Sequence, residues 1–149
     1  MTATIHRSAL RDIDAATLYG VMRLRLQVFV VEQRAAYEDL DGRDLEPGAE
    51  LLWASEGARV VSTVRILHEP DGVLRIGRVA TDPGARGRGL AAELMRRAVR
   101  RCVELDPAAP IVLGAQAHLA DWYARFGFVI DGPPYAEDDI PHVPMRRTA

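Results

Sequence analysis

IGRVATDPGARGRGLAAELM, residues 76–95, decides how this chain folds. It opens as a strand, turns at Asp82-Pro83-Gly84, and then sets glycines between arginines at Arg86-Gly87-Arg88-Gly89. From Leu90 the spacing becomes helical, with Leu90, Leu94, Met95, Ala98, Val99 and Cys102 on one stripe. A helix entered this way has unpaired N–H groups and a partial positive charge at its start. The two together make an anion site, and glycine lets the backbone approach the anion closely. The Walker pattern needs a Lys after its second Gly, and the chain has none. The dinucleotide fingerprint would put glycine at 92, where the tolerated Ala92 stands, and it wants this unit to be first in a parallel sheet.

Upstream, the pattern is not that of a parallel sheet. Leu51 to Ser55, Val60 to Leu67 and Val73 to Thr81 read as strands, separated by turns at Glu56-Gly57-Ala58-Arg59 and Pro70-Asp71-Gly72. Connections this short favour an antiparallel meander. Before it, Ala3 to His6 suits a first strand, and Asp14 offers an N-cap to a helix of about 15 residues through Phe29. Arg25 interrupts the apolar stripe of that helix. It is either an ion-paired or snorkelling side chain or a cation directed into a cleft, and it is carried as a candidate acceptor-binding residue. Glu38 to Asp44 is acidic and turn-rich. It does not match the EF-hand spacing and reads as a solvated loop. Downstream come a strand at Ile111 to Leu113, a helix over about His118 to Phe126 ended by Gly127, a strand at Phe128 to Ile130, and a tail with room for one more strand. The expected class is α+β, in one domain over residues 1–149.

Composition narrows the function. The net charge is −2, which argues against a dedicated nucleic-acid or anionic-membrane binder. All 19 basic residues are Arg, a bias best assigned to genome composition. The single Cys102 excludes an internal disulfide and a multi-cysteine zinc site, and it reads as a small buried hydrophobe. No apolar run has signal-peptide or membrane-spanning length, so the expectation is a soluble, cytoplasmic protein without a metal.

Two motifs in order resemble the GNAT family of N-acetyltransferases. Arg86, Gly89 and Ala91 match the fixed positions of its Gln/Arg-x-x-Gly-x-Gly/Ala turn, and Ile76 to Pro83 looks like the strand that opens it. Trp122-Tyr123-Ala124-Arg125-Phe126-Gly127-Phe128 matches the later motif, in which Tyr stands four residues before Gly-Phe. Leu24 to Gln33, Asp39-Leu40-Asp41-Gly42 and Asp139 to Met145 are similar to the ElaA-like subgroup.

The resemblance implies a three-layer fold, with helices on both faces of a mixed, mostly antiparallel sheet. It implies acetyl-CoA as co-substrate, lying where the third meander strand and the Ile111 strand splay apart. Val79, Ala80 and Thr81 would offer backbone to the pantetheine. The turn Arg86, Gly87, Arg88, Gly89, Leu90 and Ala91 would hold the pyrophosphate, and Gln116 would lie near the pantetheine. The acceptor would be a primary amine, which needs a base, because a protonated amine has no lone pair. Tyr123 is the candidate acid for the departing thiolate. Glu32 is the candidate base, on the expectation that a partly apolar cleft raises its pKa. His142 would position the amine. The acidic groups at Glu38–Asp44 and Glu137–Asp139 either rim the cleft and attract a cation or are plain solvated loops. A silent acyl-CoA sensor of the same fold is the second reading, and a nucleotide-binding module the third. A homodimer is compatible with such a chain.

Overall fold

The computed structural model describes residues 2–148. The meander is present: β1 (Thr4–Ser8), β2 (Glu50–Glu56), β3 (Arg59–His68) and β4 (Leu74–Thr81) pair antiparallel in sequence order. Helix α1 (Ala15–Leu26) is capped by Asp14, which accepts a hydrogen bond from the Thr17 N–H at 2.9 Å. Its apolar stripe runs on to Phe29 through a π-helical turn, Gln27–Glu32, rather than more α-helix. There Gln33 N–H reaches Val28 O and Ala35 N–H reaches Val30 O, both at 3.2 Å and both five residues back.

Helix α2 (Leu90–Leu105) leads to β5 (Ile111–Gln116). A 3₁₀ turn, Ala117–Leu119, then precedes the short α3 (Ala120–Ala124), so the third helix splits into two pieces. The chain closes with β6 (Val129–Ile130), β7 (Tyr135–Glu137) and β8 (Ile140–Arg147). The sheet order is β1-β2-β3-β4-β5-β8-β6, with β7 also paired to β8.

The pleat sorts residues between two layers of helix. On one face, Leu94, Met95, Ala98 and Cys102 of α2 pack on Leu52, Val64, Ile66, Leu74 and Ile76. On the other, Val21, Leu24 and Val28 pack on Leu51, Trp53, Val60 and Ala80. Each large apolar side chain buried here is worth about 1.5–3 kcal/mol against exposure. The expected three-layer α+β fold is therefore the observed one.

Two features of β4 open the molecule. Between the pairs Thr63↔Ala80 and Arg65↔Gly77, β4 holds one residue more than β3, and Arg78 in this bulge has a φ of 52°. On its other side β4 meets β5 in parallel only at Leu74↔Ile111 and Arg75↔Val112. Beyond these pairs the strands diverge into a V.

Candidate active site

The V is the mouth of a cleft of about 1020 Å³. One wall is β4, from Arg75 to Thr81. The other is Leu113, Gly114 and Gln116 of β5, with Trp122 and Tyr123 of α3. The glycine turn and the start of α2 close one end, through Arg86, Gly87, Gly89, Leu90, Ala91 and Ala92. Tyr37, Asp41, Tyr135, Glu137 and His142 stand at the other.

The glycine turn has the backbone its sequence implied. Gly89, at φ 75°, is the N-cap of α2 with no side-chain cap bond, so the first-turn N–H groups face the cleft without a local acceptor. A Cβ at Gly89 would meet nothing within 4 Å, which leaves open space above those donors.

Of the expected site residues, Val79, Ala80, Thr81, Arg86, Gly87, Gly89, Leu90, Ala91, Gln116, Tyr123, Glu32 and His142 all line this one cleft. Arg88 does not; its Nη1 bonds Glu56 at 2.9 Å. Arg25 is a correction. It is 0% exposed and lies outside the cleft, bonded to Asp39 through Nε at 2.9 Å and to Asp44 through Nη1 at 2.6 Å. The ion-paired reading holds and the acceptor-binding one fails, because a fully buried guanidinium can reach no acceptor. The acidic loop is corrected with it. Asp39 and Asp44 are buried as the partners of Arg25, not solvated.

Glu32 needs a second correction. It lines the cleft, but Arg86 donates to both its oxygens at 2.7 Å. These bonds hold its pKa below the usual carboxylate value instead of raising it. Tyr123 goes the other way. It is 7% exposed, and burial pushes its phenol up to about 12, so it stays protonated through the neutral range. His142 Nδ1 lies 2.7 Å from Ile140 O. A carbonyl only accepts, so Nδ1 carries a proton, and Nε2 lies 3.6 Å from Glu137 Oε2 on the cleft side. Cys102 is buried behind the sheet, its thiol pushed up to about 12 by burial, and takes no part in the cleft.

At the far end of the cleft, sequence reasoning reached His142 and the acidic rim but missed Arg65, Arg75, Arg78, Tyr37 and Tyr135, which are added to the lining. The one available signal was Gly114 in an apolar strand. A Cβ there would collide with the Tyr135 hydroxyl. Among the described residues, no group of His, Cys, Asp or Glu is arranged to hold a metal ion, and no helix is long and apolar enough to cross a membrane.

A splayed sheet with a bulged inner strand and a glycine turn under a helix defines an acyl-CoA N-acyltransferase fold. The comparisons bear this out. The family model for the acetyltransferase (GNAT) domain matches residues 14–149, and the chain belongs to that family. It is 40% identical over 151 residues to the UPF0039 protein Rv2851c of Mycobacterium tuberculosis, covering 99% of this chain and 94% of that one. It is 37% identical over 138 residues to protein ElaA of Escherichia coli, covering 91% and 90%. Among solved structures, an acyl-CoA N-acyltransferase from Pseudomonas aeruginosa superposes with a TM-score of 0.93 at 39% identity, over 99% of this chain and 100% of that one. E. coli ElaA follows at 0.92 and 34%, over 98% and 99%.

Proposed function

We propose that the protein transfers an acetyl group from acetyl-CoA to a primary amine by direct attack. The observation that carries this reading is the continuity of the cleft: one channel joins the glycine turn, the bulged backbone of β4 and the buried Tyr123. The pyrophosphate is held by the N–H groups of the Arg86–Ala91 turn, which suit an anion. The pantetheine lies in the V, along Val79, Ala80 and Thr81 on one side and Gln116 on the other.

The amine enters from the opposite end. His142, or a water it holds, takes the ammonium proton on Nε2. The freed lone pair attacks the thioester carbon, the C–N bond forms, and negative charge moves to the carbonyl oxygen. A backbone N–H at the β4 bulge, where Val79 falls outside the ladder with β3, stabilises that oxygen. When the C–S bond breaks, the sulfur takes the Tyr123 proton and leaves as the CoA thiol, while the new amide nitrogen loses its second proton, which returns through water to the Tyr123 phenolate and restores the phenol. His142 replaces Glu32 as base in this scheme. Glu32 is engaged by Arg86 and held at low pKa, so it is a weak acceptor of protons.

Tyr123→Phe tests the reading, because it removes only the hydroxyl. Release of free CoA thiol, with chemistry rate-limiting, should fall by about 10²- to 10⁴-fold in kcat. An unchanged kcat removes Tyr123 from the mechanism. CoA binding without thiol release across an amine panel would favour the silent sensor instead.

A further inference from the structure

We infer that the acceptor carries a carboxylate as well as its amine, and that Arg75 and Arg65 receive that carboxylate over Gly77; this rests on the acyl-transfer reading above and narrows its substrate class. The pleat decides which side chains share this space. Val64 and Ile66 of β3 and Leu74 and Ile76 of β4 face the α2 core, so Arg65, Arg75 and Gly77 face the opposite side. Leu113 and Ala115 of β5, and Val143 and Met145 of β8, face the same core, which puts Gly114 and His142 beside them on that opposite side. All five residues line the cleft. Helix α1 covers β2, β3 and the Ala80 end of β4. A Cβ on Gly77 would meet nothing within 4 Å, so the space over β4 is open there.

The groups around this space have unspent donors. Arg65 is 5% exposed; Asp41 takes its Nη1 and Nη2 at 3.0 and 3.2 Å, but its buried Nε has no hydrogen-bond partner. Arg75 is 39% exposed and, among the described residues, makes one ion pair, its Nε 3.5 Å from Glu69. Glu69 is shared, since Arg43 also bonds it. The fork of Arg75 is therefore available for a two-point bond to a carboxylate.

The other end of the space has the opposite sign. Glu137 and Asp138 line it beside His142. An ammonium fits there, next to the group that would take its proton. Cation at one end and anion at the other is the pattern of an amino carboxylate. A plain alkylamine leaves the Arg end unused, and a diamine meets repulsion from it.

Binding separates the claim from the chemistry. With CoA present and no acetyl group to transfer, the ω-amino carboxylates from glycine to 6-aminohexanoate, the n-alkylamines of matched length and the matched diamines are titrated by calorimetry. At least one amino carboxylate should bind tenfold or more tightly than its alkylamine and diamine counterparts. Arg75→Met should erase that margin while the protein still binds CoA. Gly77→Val should also erase it, because its side chain stands in that space, where a Cβ meets nothing within 4 Å. Alkylamines or diamines binding as tightly as the amino carboxylates would overturn the inference, as would a margin that survives Arg75→Met. If the selective binding is found but acetyl-CoA yields no thiol, the carboxylate site stands and the transfer reading fails.

Discussion

Glu32 and Arg86 show how one pair of side chains changes a role. A carboxylate facing an acceptor site is the ordinary candidate for a base, but here both its oxygens accept from a guanidinium at 2.7 Å. The pair puts a negative charge beside the turn that would hold a pyrophosphate. Glu32→Gln should then act on co-substrate binding rather than on proton transfer. It removes one repulsive charge and frees Arg86 for phosphate. An exposed charge of this kind is worth up to about 1 kcal/mol, so CoA affinity should tighten by up to about fivefold in calorimetry. The acid limb of kcat/KM should remain, because the titrating base is elsewhere. An unchanged CoA affinity together with loss of the acid limb would return the base role to Glu32.

At the scale of elements, the strand-turn-helix unit from β4 to α2 is the part that binds. Gly89 sits at φ 75° at the start of α2, where a side chain is strained and would project into the open space over the turn. Gly89→Glu adds a negative charge to that same space. It should weaken CoA binding by tenfold or more in calorimetry, while thermal unfolding reports only the modest loss from one strained residue. Equal affinity would place the phosphate elsewhere. This unit was legible in the sequence because its signals are local: glycines at fixed spacing, then a helical stripe through Leu94 and Met95. The meander was legible for the same reason, through Gly57 and Gly72 at its turns. The far end of the cleft was legible only in part: the resemblance carried His142, but Tyr135 comes from β7 and rests on Gly114 of β5, and His142 meets it only through the β8 pairing. Such contacts depend on register between distant strands, which no local pattern carries. The π-helical turn was equally hidden, since the stripe through Val28 and Phe29 reads as continuous helix.

Across the whole molecule, arginine is the organising charge. Arg25, Arg65 and Arg78 tie the loop at Asp39, Asp41 and Asp44 to α1, β3 and β4, and so hold part of the far end of the cleft in place with a segment that reads as solvated. Isolation in the sequence concealed this: Arg25 and Asp39 are 14 residues apart, and Asp39 and Arg78 are 39. The same arrangement sets the response to pH. Hydrogen bonds from arginine hold the carboxyls of Glu32, Glu69 and Glu93 below the ordinary value; Asp41 and Asp82 also lie below it, their bonds to Arg65, to Arg59 and to backbone N–H groups outweighing burial. A group whose pKa is lower folded than unfolded binds its proton more readily in the unfolded chain. Its stabilising contribution is complete above the unfolded value, near 4, and is lost as pH falls through the folded value. Stability to urea should therefore be level in this respect from about pH 5 upward and fall steadily below about pH 4. Urea midpoints at a series of pH values check it, with salt as the second axis. High salt should lower the neutral-pH midpoint little, because the innermost pairs are shielded from solvent, and exposed pairs such as Arg96–Glu93 contribute little in any case. A midpoint that rises as pH drops from 5 to 3 would show that these ion pairs do not hold the fold.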